Sequence, residues 1–293
     1  MATPEVTAPV RTGPARVSVV LVNYKAYPEL EVCLATLREK CRAEIIVVDN
    51  ASSRGEAVPL QLRFPDVIWQ CRADNPGFAA GVNAGARLAH GEFLLLLNPD
   101  CVVDQDVCGV LAEWLDGQPQ VGAVGSLVHD EDGSIQASAR RFPDFTTGFA
   151  GRTSRLTKWF PDNTFSRRNL LTGPTVSDPI LVDWVSGACL MVRRAAFERV
   201  GGMDEQFFLY WEDADLCFRL AQAGWRTAYH PGVAVTHLCG RSSQQSARSI
   251  RAFHDSALRY FVKHGGWSAR VLAPLAYLAL QARVGLKLLR RSA

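Results

Sequence analysis

The sequence lacks any CxxC pair, and its eight cysteines are spread between residues 33 and 239, mostly inside apolar runs. Zinc sites and thioredoxin-like redox motifs use closely spaced cysteines, so neither is expected. Reduced, packed thiols of a cytosolic protein fit this distribution better than a disulfide framework does. We therefore expect the chain to fold without covalent crosslinks.

Neither sign of charge dominates, because 32 Lys and Arg face 29 Asp and Glu, which leaves a formal net charge of +3. Proteins that bind duplex nucleic acid concentrate many more basic residues on one face, so nucleic acid is not an expected partner. Hydrophobic residues make up 48% and charged residues 21% of the chain. These values are ordinary for a globular protein, and 293 residues are enough for one large α/β domain with its own core.

A secretory signal is also missing, because residues 1–16 have no apolar central block. We expect this segment to be a flexible lead and the protein to stay in the cytosol. At the other end, residues 267–293 combine many leucines with Arg283, Lys287, Arg290 and Arg291. Their uncharged part, residues 271–282, is shorter than the roughly 20 apolar residues that span a membrane. Two interpretations stay open: a basic amphipathic helix on an anionic membrane surface, or a helix docked on the core.

Short β-branched runs alternate with helical spacing in the first half of the chain. We predict strands at 17–23, 44–49, 67–71 and 93–97, with helices at 28–40 and 78–89. Continuous apolar strands separated by helices indicate a parallel sheet covered on both faces. The predicted class is therefore α/β, with residues 17–120 as one half of the main domain.

Beyond residue 121 the pattern changes, and we assign residues 121–243 to a second half of the same domain and 244–293 to C-terminal helices. The second half has a predicted hairpin at 130–133 and a long irregular stretch over 140–179. Strand residues follow at 181–193 and 227–238, and helices at 213–223 and 244–264.

Polar residues stand just past the carboxyl ends of the predicted strands, where open α/β sheets bind ligands. Asn23 and Asp49 end the first two strands, and Asn98 and Asp100 follow the fourth. A carboxylate at this edge can accept a hydrogen bond from a base or a ribose hydroxyl, or hold Mg²⁺ or Mn²⁺ against a diphosphate. Each residue alone is also ordinary turn chemistry.

Glycine recurs at every fourth position of the helix that begins near residue 78, at Gly77, Gly81 and Gly85. This bare face could press on the sheet, or it could let the backbone approach a phosphate. The spacing is not GxGxxG, which disfavours a dinucleotide-dependent oxidoreductase.

Three acids follow an aromatic run at residues 207–211, and they coincide with the start of a predicted helix. Of Glu212, Asp213 and Asp215, we choose Asp213 as a general base. Further along, His237 could be a metal ligand or a packed histidine, and Arg241 could contact phosphate or solvent.

Taken together, these segments resemble glycosyltransferase family 2, most closely its bacterial rhamnosyltransferase-like branch. The matching segments, in family order, are residues 19–24 (VVLVNY), 47–52 (VVDNAS), 75–83 (NPGFAAGVN), 96–100 (LLNPD), 187–192 (GACLMV), 197–204 (FERVGGMD) and 211–216 (WEDADL). The resemblance implies a GT-A-type, Rossmann-like sheet and a divalent cation, Mg²⁺ or Mn²⁺. Asn98 stands where the family's DxD-like motif usually has its first acid.

The resemblance also implies roles for individual residues. Asp100 would bind the metal, which His237 would complete, and Asp213 would be the base of a direct displacement with inversion. The donor side would be formed by Asn23, Asp49, Asn75, Gly77, Asn98 and Arg241. On the acceptor side we expect Asp183, Trp184, Trp211 and Glu212.

The expected activity is transfer of a sugar, with L-rhamnose from dTDP-rhamnose as the favoured donor, to a saccharide or polyprenyl-linked acceptor of the cell envelope. Two alternatives stay open: a nucleotidyltransferase and a non-catalytic nucleotide-sugar-binding module. The first would need an N-terminal Gly-rich phosphate loop, which residues 17–27 do not contain. A non-catalytic binding module would be expected to have lost its general base.

Overall fold

The computed structural model of the protein describes residues 15–50, 55–143, 171–172, 176–238 and 247–292, with side chains up to residue 285. Most of the predicted lead at residues 1–16 and most of the irregular stretch at 140–179 lie outside the described residues. Seven of the eight cysteines are described, and all seven are free thiols.

Strands and helices alternate through the first half, as predicted from the apolar runs. The elements are β1 (Val17–Asn23), α1 (Tyr27–Lys40), β2 (Glu44–Asp49), α2 (Val58–Arg63), β3 (Ile68–Cys71), α3 (Phe78–Leu88) and β4 (Phe93–Leu97). The short helix α2 was not predicted. It begins at a proline-containing first turn and buries only Leu60 of its six residues.

The second half has shorter strands and ends in two long helices. Its elements are β5 (Cys101–Val102), α4 (Val107–Asp116), β6 (Val121–Asp130), β7 (Ala139–Arg140), β8 (Ile180–Val182), β9 (Trp184–Val185), β10 (Cys189–Arg193), α5 (Arg194–Arg199), α6 (Glu212–Gln222), β11 (Arg226–His237), α7 (Ala247–His264) and α8 (Gly266–Ser292). The single strand predicted over 181–193 is in fact three, because β8 pairs with β11, β9 with β7, and β10 with β4 and β6.

One mixed, mainly parallel sheet organises the described chain, in the order β3-β2-β1-β4-β10-β6-β11-β5, with β8 also paired to β11. β1 runs parallel to β2 and β4, and β10 is antiparallel to both of its neighbours. β6 and β11 are parallel to each other and therefore run in the same direction as β4. The carboxyl ends of β1, β2, β4 and β11 thus meet at one edge, where the predicted polar residues lie.

The core lies on both faces of this sheet, because β1 and β4 are buried along their whole length. Alternate residues of β1 point to opposite faces. Leu21 packs in a cluster with Leu34 of α1 and Leu111 of α4. Val20 packs in a second cluster with Leu216 of α6, among others.

The glycines of α3 allow that helix to approach the sheet closely. A Cβ atom on Gly81 would lie 2.6 Å from Cγ1 of Val22, and one on Gly85 would lie 2.5 Å from Cγ1 of Val20. The sequence left open whether these glycines contact the sheet or approach a phosphate. Gly81 and Gly85 contact the sheet.

The C-terminal helices form a pair, and α7 joins them to the main domain. Ser256 of α7 donates a hydrogen bond to the carbonyl of Leu209, and Tyr260 of α7 packs 5.3 Å from the ring of Trp211. Helix α8 contacts α7 and has one buried side chain, Val284, along the part where side chains are described. Among the described helices, none is both long enough and apolar enough to cross a bilayer.

Candidate active site

The ends of β1 and β2 place Asn23 beside Asp49, as their in-register parallel pairing requires. Asn23 donates a hydrogen bond of 2.7 Å from its amide to Oδ1 of Asp49, and the hydroxyl of Tyr27 donates one of 3.1 Å to Oδ2. Both Asn23 and Asp49 are fully buried. The carboxylate is therefore held in a fixed orientation at the sheet edge.

A tight turn before α3 brings Asn75 and Gly77 to the same edge. The side chain of Asn75 accepts a hydrogen bond from the Gly77 amide at 3.1 Å, and Asn50 donates to the Gly77 carbonyl at 3.1 Å. Gly77 has φ of +104°, and a Cβ atom there would overlap the carbonyl oxygen of Phe208. Only glycine combines this backbone angle with the absence of a Cβ atom. Gly77 therefore allows the turn to pack closely against Phe208, in the segment that precedes α6.

Asp100 and His237 form the second cluster at the edge. Nε2 of His237 lies 2.9 Å from Oδ1 of Asp100 and 3.2 Å from the amide nitrogen of Asn98. Gln136 lies 3.2 Å from the other ring nitrogen, Nδ1. These contacts arise because β5, just after Asp100, pairs antiparallel with the end of β11, with His237 opposite Cys101.

The thiol of Cys101 lies close enough to this cluster to be considered as a third metal-binding group. Burial raises the pKa of Cys101 well above its ordinary value, and its sulfur donates to the carbonyl of Ala188. Thiolate is a soft ligand that suits zinc or copper better than Mg²⁺ or Mn²⁺, so we do not assign Cys101 to a site for these ions. The carboxylate of Asp100 remains, and it is the type of ligand that Mg²⁺ and Mn²⁺ prefer at substrate diphosphates; the imidazole of His237 lies beside it.

Asp213 lies in the first turn of α6, on the same side of the molecule as Gly187. Its Oδ2 accepts from the Gly187 amide at 3.0 Å, and its Oδ1 accepts from the Ala214 amide at 2.8 Å. Burial raises the pKa of Asp213, against the opposing effect of these amides and of the positive charge of Arg140. A raised pKa gives a carboxylate more affinity for a proton, as a general base requires.

The residues before Asp213 have an unusual backbone. Tyr210 and Trp211 both have positive φ, of 68° and 71°, which is costly for bulky side chains. The turn aims Glu212 inward, where it is buried, and burial next to Asp213 raises its pKa well above the ordinary value. Asp213, the next residue, is partly exposed.

Asp215, the third acid of the sequence cluster, has a different environment. It is fully buried and is bonded to Arg219 at 2.7 Å, to Lys263 at 2.6 Å and to His264 at 2.7 Å. These partners outweigh burial and lower its pKa to about 2. A carboxylate so fully paired does not accept a proton from substrate, and its role is to join α6 to α7.

The predicted acceptor residues lie around Asp213 and β9. Oδ2 of Asp183 accepts from the Phe142 amide at 2.8 Å, and the indole of Trp184 donates to the Arg141 carbonyl at 2.9 Å. The guanidinium of Arg140 stacks on Trp184 at 5.3 Å. Arg241, predicted to contact phosphate, lies outside the described residues.

Three residues that sequence reasoning missed also contribute to these clusters: Tyr27, Gln136 and Arg140. Asn50 follows Asp49 directly at the end of β2 and also lies at this edge. Tyr27 lies in the first turn of α1, and its hydroxyl contacts Asp49. No periodic pattern in the sequence indicates this contact.

Solved structures with a similar fold are nucleotide-sugar transferases. The chain superimposes on GalNAc-T7 with UDP, GalNAc and Mn²⁺ (TM-score 0.59, 16% identity, 83% of this chain and 48% of that one). It also superimposes on the mannosyltransferase PcManGT of Pyrobaculum calidifontis with GDP-Man and Mn²⁺ (TM-score 0.57, 19% identity, 96% and 77%). The fold is therefore that of the GT-A glycosyltransferases, as predicted.

The sequence comparison identifies the family. The model described as "Glycosyltransferase like family 2" matches residues 14–252, and the chain belongs to this family. It is 33% identical over 266 residues to an N-acetylglucosaminyl-diphospho-decaprenol L-rhamnosyltransferase of Mycobacterium tuberculosis, covering 85% of both chains. It is 29% identical over 181 residues to the rhamnosyltransferase WbbL of Escherichia coli, covering 60% of this chain and 61% of that one. The protein is thus a glycosyltransferase enzyme, and the nucleotidyltransferase and binding-module alternatives are set aside.

Proposed function

We propose that this enzyme transfers L-rhamnose from dTDP-rhamnose to a lipid-linked saccharide, with inversion at the anomeric carbon, in the synthesis of a cell-envelope polysaccharide. The observation that carries the proposal is the 33% identity, over 85% of both chains, to a rhamnosyltransferase whose name specifies a diphospho-decaprenol-linked N-acetylglucosamine acceptor. The clusters at the sheet edge and at the start of α6 supply groups suited to each step.

Donor binding is assigned to the first cluster. The buried carboxylate of Asp49, oriented by Asn23 and Tyr27, is an acceptor suited to a base N–H or a ribose hydroxyl. Asn75, Gly77 and Asn98 lie along the same edge and complete the donor side in this proposal. Arg241 keeps the phosphate-binding role predicted from the sequence.

The divalent-cation site is assigned to Asp100 and His237. Their atoms fit Mg²⁺ or Mn²⁺, because a carboxylate and an imidazole converge at 2.9 Å at a buried position. Such an ion, when bound, supplies positive charge to the departing diphosphate. Asn98 is a neutral neighbour of this pair and orients the imidazole rather than adding charge.

Proton transfer is assigned to Asp213. The amides of Gly187 and Ala214 orient its carboxylate, and its raised pKa lets it accept the proton of an acceptor hydroxyl. As the hydroxyl oxygen bonds to the anomeric carbon, the bond to the diphosphate oxygen breaks. One base and one displacement invert the anomeric carbon, so no residue needs to form a covalent intermediate.

The acceptor is assigned to the region around Asp183, Trp184, Trp211 and Glu212. The aromatic faces of the two tryptophans suit sugar rings. A polyprenyl-linked acceptor would be anchored in a bilayer, so we propose that the enzyme works at the cytoplasmic face of the membrane.

A thermal-shift screen tests the donor assignment, because a ligand that binds only the folded state raises Tm. Nucleotide sugars are screened with Mn²⁺ and with EDTA. The proposal predicts the largest shift for dTDP-rhamnose with Mn²⁺, and a reduced shift in Asp49→Asn. A larger shift for a UDP- or GDP-sugar would refute the donor assignment.

A further inference from the structure

The outer face of the C-terminal helix α8 is apolar and exposed. Its large exposed side chains recur at helical spacing, and the exposed fractions are 80% for Trp267, 55% for Val271, 67% for Leu275 and 64% for Leu278. With 3.6 residues per turn, these four residues fall within an arc of about 80°. We call this set the outer stripe.

The opposite side of α8 is the one that meets the protein. Ala269, Ala273, Ala276 and Leu280 are half-buried, and Val284 is buried. These residues also recur every three or four positions, and α8 contacts α7. The helix therefore has two apolar faces, one packed on α7 and one left open. Single exposed apolar residues are normal, but a stripe along three turns marks a binding surface.

The charge of this region is one-sided. Residues 256–293 contain seven Lys or Arg and no Asp or Glu, whereas the whole chain carries only +3. The preceding 255 residues therefore carry a net charge of −4. Arg270 is exposed on α8 beside the outer stripe. A helix with an apolar face in a wholly basic setting complements an anionic lipid surface.

We infer that the outer stripe of α8 docks on an anionic lipid bilayer, with the helix lying in the plane of the interface. Membrane docking is inferred from the helix itself. It rests on the proposed function only in the reason given for docking, which is that the enzyme must reach a lipid-linked acceptor. A second copy of the chain is a poorer occupant, because a two-fold contact would bring two basic, acid-free helices together. A bilayer offers the opposite charge and an apolar layer for the stripe.

The docked helix would also hold the active site near the bilayer. α8 packs on α7, and Lys263 and His264 at the end of α7 bond to Asp215 of α6. Asp215 lies two positions after Asp213, so the contacts of Lys263 and His264 with this buried carboxylate link the membrane-facing pair of helices to the base. Positioning of this kind favours transfer to an acceptor whose lipid tail is fixed in the same bilayer.

Co-flotation of the full-length chain with vesicles tests the inference. Vesicles of phosphatidylcholine mixed with phosphatidylglycerol are compared with vesicles of phosphatidylcholine alone, at low and high salt. The variant Leu275→Asp/Leu278→Asp places two charges in the stripe, and Leu62→Asp, at a 78% exposed position of α2, is the matched control. We expect binding to the anionic vesicles only, weakened by salt, and reduced on the order of tenfold or more in the double variant. Leu62→Asp should bind as the original chain does.

A second measurement uses a conservative change. Brominated lipids should quench part of the tryptophan fluorescence of the original chain, and Trp267→Phe should remove that part. The inference is overturned if the original chain does not bind the anionic vesicles, or if both Asp variants bind equally. It is also overturned if sedimentation finds a dimer that only Leu275→Asp/Leu278→Asp dissociates. Vesicle binding without rhamnosyl transfer would refute the proposed function alone, and transfer to a soluble acceptor without vesicle binding would refute this inference alone.

Discussion

Asp100 and His237 are 137 positions apart in the chain, yet Oδ1 of the first lies 2.9 Å from Nε2 of the second. If this pair holds the divalent cation, Asp100→Ala and His237→Ala should each weaken Mn²⁺ binding by more than about 100-fold, the upper end of what loss of an outer-shell partner costs. Activity should disappear with EDTA and return with Mn²⁺. Asp104→Ala, an exposed acid after β5, is the control and should leave Mn²⁺ dependence unchanged. Full activity in EDTA would contradict the assignment.

The Asp49 carboxylate should govern donor affinity rather than chemistry. Asp49→Asn removes its charge and half of its acceptor capacity, so the Kd for dTDP measured by calorimetry should rise by about tenfold or more. Tyr27→Phe removes one hydrogen bond to Oδ2 and should have a smaller effect in the same direction. An unchanged Kd in Asp49→Asn would remove this residue from the donor site.

The pH dependence of turnover should reflect Asp213. Because burial raises its pKa, the base becomes protonated as pH falls through a value above the ordinary one of about 3.9. kcat should therefore decline on the acid side at a higher pH than an exposed Asp would give. Arg140→Gln removes a positive charge that lowers this pKa, so the acid limb of the pH profile should move to still higher pH. Arg141 is the exposed neighbour of Arg140, and the control Arg141→Gln should leave the acid limb where it is. A limb that stays in place in Arg140→Gln would argue against the assignment.

Asp215 should matter for stability more than for donor binding. Asp215→Asn leaves Arg219 and Lys263 without their buried partner, and we expect a loss of about 3–5 kcal/mol in the free energy of unfolding, measured with urea. The control Asp116→Asn breaks an exposed pair with Arg16 and should cost far less, because water screens an exposed ion pair. The folded-state pKa of Asp215 is lowered to about 2, so its contribution is present above the unfolded value of about 3.9 and is lost as pH falls toward 2. Equal losses in the two variants would contradict this role.

The parts of the site that sequence reasoning anticipated are those where a buried strand ends in a polar residue. The apolar runs before Asn23, Asp49 and Asn98 indicate parallel strands, and parallel strands bring their carboxyl ends together. The α/β class, the sheet edge and the family follow from this pattern and from the matching segments. The functional roles assigned to these residues stay predictions.

Contacts between distant segments were not readable from local pattern. β11 reaches Asp100 only through antiparallel pairing with the two-residue strand β5, which is too short to give a periodic signal. The difference between Asp213 and Asp215 depends on Lys263 and His264, which a neighbouring helix supplies. Sequence spacing places both acids in one helical turn and cannot separate a base from an anchor.

In the proposed function Asp213 is the base of an inverting rhamnosyl transfer, and an assay with the full set of substrates tests this role. The original chain and Asp213→Asn are incubated with dTDP-rhamnose, Mn²⁺ and a polyprenyl diphosphate-linked N-acetylglucosamine, and product formation and its anomeric configuration are followed by mass spectrometry and NMR. We predict a product of inverted configuration, a kcat lower by a factor on the order of 10² to 10⁴ in Asp213→Asn, and a nearly unchanged Kd for the donor. A retained configuration, near-normal turnover in Asp213→Asn, or a loss of donor binding as large as that in Asp100→Ala would contradict the claim.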